Sequence, residues 1–253
     1  MFSMVSAVVP YRLVDMDSQE ILLLAEDVRG FFIGADEEPP RTVVFVGARH
    51  IRQGKKKTES TQLEIVDRGM GKIGAYYIGK VARGAQGLRG GGGGYSDVEY
   101  SFHGNACEYP KAGEIWRKWS DSKQVSLGGW AEYPSEYHAS WLHVVQTAWF
   151  SCGLRATRYQ TAETAGIEGR ELATEDAFYC AVGEAVNGPG GYFGSNLDAL
   201  YDCLRTMKRE EAHPFCLEWG DFSFSREVLG GEFTSSALSI FQEFGVQVNL
   251  AGD

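Results

Sequence analysis

The chain has 253 residues, of which 43% are hydrophobic and 23% charged, and a formal net charge of −10. This is the composition of a soluble globular protein with a sizeable core, in one large domain or two ordinary ones, and no apolar run approaches the roughly 18 residues needed to cross a bilayer. The acidity is uneven: residues 154–253 carry 7 Lys and Arg against 16 Asp and Glu, whereas residues 1–153 carry 17 against 18. A nucleic-acid binder is expected to show a basic footprint, so the acidic part argues against direct nucleic-acid contact. It points towards a basic protein partner or simply towards solubility.

The start, Met1-Phe2-Ser3-Met4-Val5, lacks a basic stretch and a long apolar one, so no signal peptide is expected. From Val5 to about His103 the pattern is of short strands. Ala7–Val9, Ile21–Leu24, Phe31–Ile33, Thr42–Val46, Leu63–Val66, Ala75–Ile78 and Val98–Phe102 are mostly β-branched or aromatic, with turn clusters such as Glu37-Glu38-Pro39-Pro40 between them. Such spacing predicts a sandwich or an open barrel. Gln53-Gly54-Lys55-Lys56-Lys57 reads as a solvated hairpin tip, with a phosphate-backbone contact as the rival reading. The glycines Gly90 to Gly94 read as a flexible loop, without the pattern of a phosphate cradle.

Residues 104–153 change character. A short amphipathic helix is expected over Ala112–Trp119 and a second from about Ser135 to Gly153, where Leu142, Val145 and Trp149 keep helical spacing. Trp116, Trp119, Trp130, Trp141 and Trp149 suggest either a core or a binding surface. His103, Cys107, His138, His143 and Cys152 fit no standard zinc spacing, so neither a metal nor a cofactor is expected. The odd number of cysteines, Cys107, Cys152, Cys180, Cys203 and Cys216, lacks any CxxC and fits reduced thiols in a cytoplasm.

From Ala165 strands and helices alternate. A strand ends near Gly169. Thr174 caps a helix that opens with Glu175-Asp176 and stops at Asn187-Gly188-Pro189. The glycine-rich loop from Gly190 leads into a helix running to about Met207, with Ser195 or Asn196 as its cap. Leu197, Leu200, Leu204 and Met207 mark its buried side, and Asp198, Asp202 and Arg205 share one stripe on the opposite side. Phe215–Trp219 reads as a strand covered on both faces, Ser235–Phe244 as a last helix and Val246–Leu250 as a last strand. The implied architecture is α+β overall: a β-rich domain over residues 1–153, then an α/β domain over 154–253 with a small parallel sheet.

Three segments then carry a resemblance: Tyr192-Phe193-Gly194-Ser195-Asn196-Leu197-Asp198-Ala199-Leu200-Tyr201-Asp202-Cys203-Leu204, Leu217-Glu218-Trp219, and Ile240-Phe241-Gln242-Glu243. Together, from about residue 165 to the end, they resemble the barstar family, intracellular inhibitors of secreted guanyl-preferring ribonucleases. The resemblance implies a three-stranded parallel sheet with helices, no catalytic group, and a loop and helix that plug the ribonuclease active site. It implies that Asp202 occupies the substrate-phosphate position, that Asp198 and Glu243 flank it, and that Tyr192 stacks on the enzyme's catalytic histidine. Gly194, Asn196 and Ala199 fall at close-approach or hydrogen-bonding positions. Tyr201 stands where the family often has tryptophan, and Arg205 where it has a small polar residue, so Arg205 can pair with Asp202 or select a different partner. Met207-Lys208-Arg209-Glu210-Glu211 departs from a more aromatic family segment.

The expected function is a cytoplasmic, non-enzymatic inhibitor or immunity protein against a basic secreted ribonuclease or ribonuclease toxin, with no membrane or direct nucleic-acid partner. The alternatives are an interaction module that binds another basic toxin or protein through the same acidic surface, and an enzyme built around His138, His143 and Cys152.

Overall fold

The computed structural model describes residues 9–34, 36–38, 41–52, 56–84, 89–91, 95–104, 106–122 and 125–251. Residues 7–8 of the expected first strand, Pro39 and Pro40 of the turn cluster, residues 53–55 of the lysine-rich tip, residues 92–94 of the glycine run and the start of the chain lie outside the described residues. The chain divides into two compact units, Met1–Gln124 and Val125–Asp253.

The first unit contains β1 (Tyr11–Asp15), β2 (Ile21–Ala25), β3 (Asp27–Arg29), β4 (Thr42–Ala48), β5 (Lys57–Val66), β6 (Lys72–Arg83), β7 (Arg89–Gly91), β8 (Tyr95–Phe102) and α1 (Ala112–Asp121). The strands pair in the order β2-β1-β5-β6-β8-β4-β3, antiparallel throughout, with β7 on β8. β2 and β3 behave as one strand bent at Glu26. β2 pairs with β1, β3 pairs with β4, and the Leu24–Arg49 bridge continues the β3–β4 register. The sheet therefore closes on itself, which leaves fewer free edges than the open barrel or sandwich predicted from sequence. Tyr11, Leu13, Leu23, Phe45, Leu63, Ile65, Val81 and Val98 are buried in this unit.

Two expectations shift here. The first described strand is Tyr11–Asp15. Its apolar alternation is masked by Arg12, which sits opposite Glu64 on β5 and pairs with it at 2.6 Å, and by Asp15, which accepts the Asp17 and Ser18 amides. Phe31–Ile33 is not a strand; only Phe32 bridges Cys107, while the Phe31 and Phe32 rings pack edge-on against Tyr76. Helix α1 forms as expected because Ala112, Ile115, Trp116 and Trp119 recur on one face and are buried. Trp116 lies so close over Gly74 that a Cβ there would sit 2.5 Å from its ring, and its indole donates to the Tyr76 hydroxyl at 2.8 Å.

The second unit contains α2 (His138–Ser151), β9 (Thr164–Glu168), α3 (Glu175–Asn187), α4 (Leu197–Arg209), β10 (Cys216–Gly220), α5 (Phe222–Leu229), α6 (Gly231–Glu243) and β11 (Gln247–Leu250). β9, β10 and β11 form the expected parallel sheet in the order β11-β10-β9. The unit begins at Val125, not at residue 154, because α2 and the turn before it supply partners that α3 needs. The division expected from sequence, at 153/154, falls after α2, whereas the two compact units meet before it. The five tryptophans are all buried, two in the first unit and three in the second, so they are core and not an exposed binding surface.

β10 alternates instead of being covered on both faces: Leu217 and Trp219 are buried, whereas Cys216 and Glu218 are partly exposed. Helix α5 has no apolar periodicity to announce it. It starts at Asp221, whose left-handed backbone (φ 42°) turns the chain sharply after β10, and Ser225 inside it accepts from the Trp219 indole at 2.9 Å.

Candidate partner-binding surface

The surface is built from the end of α3 outwards. Thr174 caps α3 by accepting the Ala177 amide, and Gly188 ends it with φ 83°. Near the end of α3 two buried polar side chains hold the loop that leads to α4. Glu184 accepts from the Gly128 amide at 2.7 Å and from the Gly190 amide at 3.3 Å, one on each oxygen. Burial pushes its carboxyl above the ordinary carboxylate range, and these amides oppose that shift. Asn187 donates to the Thr157 and Tyr192 carbonyls and accepts from the Tyr159 amide. The loop crosses α3 so closely that a Cβ on Gly183 would meet the Gly191 carbonyl at 2.3 Å.

Gly194 turns the loop into α4 with φ 108°, and a Cβ there would lie 2.8 Å from the Leu200 backbone, so both conformation and space require glycine. Asn196, not Ser195, is the cap: its side chain accepts the Ala199 amide at 2.8 Å. Ser195 instead lies 3.5 Å from the Tyr192 hydroxyl. Helix α4 buries Leu200, Cys203, Leu204 and Met207, while Leu197 and Ala199 are half-buried.

Asp198, Asp202 and Arg205 are exposed on the opposite side, as the spacing predicted. Arg205 pairs with Asp202 at 2.8 Å, with side chains 64% and 58% exposed. Glu243 at the end of α6 is brought to α4 by the Tyr201 hydroxyl, which donates to it at 2.9 Å. This bond raises the Tyr201 phenol pKa. The Tyr201 ring packs edge-on to Phe244 at 4.8 Å. The exposed face therefore presents the carboxylates of Asp198 and Asp202 with the guanidiniums of Arg205 and Arg209, on a helix fixed at its start by a cap and bordered by Glu243 of α6.

Tyr192 departs from expectation. It is 3% exposed, so in this structure it is not presented to a partner's histidine. Its ring lies under Phe150 of α2, with centroids 5.3 Å apart at 63°. Burial raises its phenol, and the charge of Asp202 adds to the shift. Sequence reasoning missed Phe150, Glu184, Asn187 and Arg155, whose guanidinium pairs with Glu210 just after α4. The sequence held one signal for Phe150: it comes directly after Trp149 and so sits about 100° off the apolar stripe of α2.

The other candidate centre does not assemble. His138 is buried with Nδ1 3.0 Å from the Thr174 hydroxyl, and His143, five residues further, points about 140° away around the helix axis. Burial pushes the His143 imidazole down to about 4, far from the range of a base working at neutral pH. Cys152 is exposed, and Cys107, in the first unit, is a buried thiol pushed up to about 11. Among the described residues no group of three or more His, Cys, Asp or Glu is placed to hold a metal ion, and no helix is long and apolar enough to cross a membrane.

In comparison with known proteins, the family described as Barstar (barnase inhibitor) matches residues 162–252. The match takes in β9 to β11 and the whole of α3 to α6, and leaves out α2 and the first unit. No curated protein matches the chain.

Proposed function

We propose that the chain inhibits a basic, guanyl-preferring ribonuclease by laying the α4 face and Glu243 into its active site. The barstar-like region supports a protein-binding, ribonuclease-inhibitor-like role. The observation that carries the finer reading is the set of exposed carboxylates, Asp198, Asp202 and Glu243, on elements fixed by a cap and by the Tyr201–Glu243 bond.

A ribonuclease holds its polyanionic substrate with cationic side chains. Preplaced carboxylates imitate the phosphates without having to be ordered on binding, and their charge steers encounter and raises the association rate. The chain needs no catalytic group for this role. It works in the cytoplasm as an immunity protein, guarding the cell against a secreted enzyme or toxin.

Arg205 favours a second reading, an interaction module for another basic protein or toxin. Its pairing with Asp202 lowers the net negative charge offered to the partner. To decide, RNA cleavage by a panel of small guanyl-specific ribonucleases is titrated with the full chain. Stoichiometric loss of cleavage for at least one enzyme is expected. If none is inhibited at micromolar chain, the ribonuclease reading fails and the second takes its place.

A further inference from the structure

Phe150 closes the exposed end of α2 and is 45% exposed. A single exposed apolar side chain is ordinary on a protein surface, so exposure alone assigns it nothing. What sets Phe150 apart is how it is held and what lies beside it. Its ring rests edge-to-face on Tyr192, which is buried and whose carbonyl accepts from Asn187. Tyr192 stands four residues before Asn196, the cap of α4, so Phe150 lies against the segment that leads into α4.

The chain just beyond Phe150 is tied down as well. The Trp149 indole donates to the Arg155 carbonyl at 2.8 Å, the Arg155 amide donates to the Tyr159 hydroxyl at 2.9 Å, and the Arg155 guanidinium pairs with Glu210. The end of α2 is thus tied both to the loop before α4 and to the residue after it. Phe150 is presented in a fixed pose beside the entry to α4.

We propose that Phe150, from outside the family match, is an anchor of the partner-binding surface, and that a planar cationic side chain, arginine or histidine, of the basic enzyme stacks on its open face. This rests on the inhibitor reading above. A preordered aromatic ring costs little to immobilise, and aromatic anchors ringed by charge are the pattern of binding hot spots. A guanidinium or imidazolium is the group that both the ring face and an acidic surface such as the exposed side of α4 attract.

The test uses full-length chain and a ribonuclease that the wild type inhibits, with association and dissociation rates measured over a range of salt. Phe150→Ala should weaken affinity about tenfold or more, through faster dissociation, and should leave the salt dependence of association as in the wild type. Phe150→Leu, which keeps Tyr192 covered but lacks the ring face, should lose part of that affinity with its thermal midpoint held, and Phe150→Tyr should restore binding. Unchanged or tighter binding by Phe150→Ala, while the wild type inhibits, overturns this inference and leaves the inhibitor reading standing. A wild type that binds no ribonuclease overturns both.

Discussion

Helices α3 and α4 are each thirteen residues long and each is capped by a side chain that accepts an amide three residues on, yet they face opposite demands. Ten residues of α3 are buried, among them the charged Glu184, whereas α4 buries four and leaves its two aspartates in water. Two polar groups of α3, Glu184 and Asn187, are spent inwards, on backbone amides and carbonyls of the segments around it. Those of α4 point outwards, the Asp202–Arg205 pair among them. One helix is scaffold and the other display. The loop between them, from Gly188 to Asn196, is where rigidity is handed from the first to the second.

The largest effect expected from breaking this division is at Glu184. Each of its oxygens accepts from a different amide, and an amide side chain has only one acceptor end. Glu184→Gln should therefore cost on the order of 1–3 kcal/mol in urea unfolding, the cost of a buried donor left without a partner. A pH series sharpens the point. Because the folded carboxyl lies above its ordinary range, the folded chain binds this proton more readily than the unfolded chain does. Glu184 thus works against stability above its folded pKa, and that opposition fades as the pH falls towards the ordinary carboxylate range. The wild type should gain on Glu184→Gln over that fall. A difference flat with pH would contradict a buried, ionising Glu184.

The smaller expected effect lies on α4. Arg205→Ala removes an exposed ion pair and should change stability by no more than about 0.5 kcal/mol. It also removes one of the two exposed guanidiniums on the stripe, the other being Arg209, so association with a basic ribonuclease should quicken, most clearly at low salt. Slower association would show that Arg205 meets an acidic group on the partner.

Much of the second unit was legible in the sequence because its signals are local. Thr174, Asn187-Gly188-Pro189 and the leucine spacing of α4 each act within a few residues, and the structure places α3 and α4 where they predict. The acidic stripe was legible for the same reason. What escaped were consequences of distant contacts. Tyr192 reads as a loop aromatic, but Phe150, 42 positions earlier, covers it. Glu184 reads as one more surface charge until the amides of Gly128 and Gly190 are brought to it. In the first unit the bend at Glu26, which lets one strand close the sheet, depends on a register shared with Arg49 and Val46 that no local pattern encodes.

The central claim is that the α4 face binds while the buried framework merely supports it. The most direct measurement is a pair of binding isotherms against an inhibited ribonuclease, wild type beside Asp202→Ala, with thermal unfolding of both chains. Asp202 is exposed, and its ion-pair partner Arg205 is exposed as well. The account predicts a thermal midpoint unchanged within error and an affinity reduced about 100-fold or more, as for the loss of one partner of a charge pair that binding desolvates. An Asp202→Ala chain that binds as tightly as the wild type would contradict it.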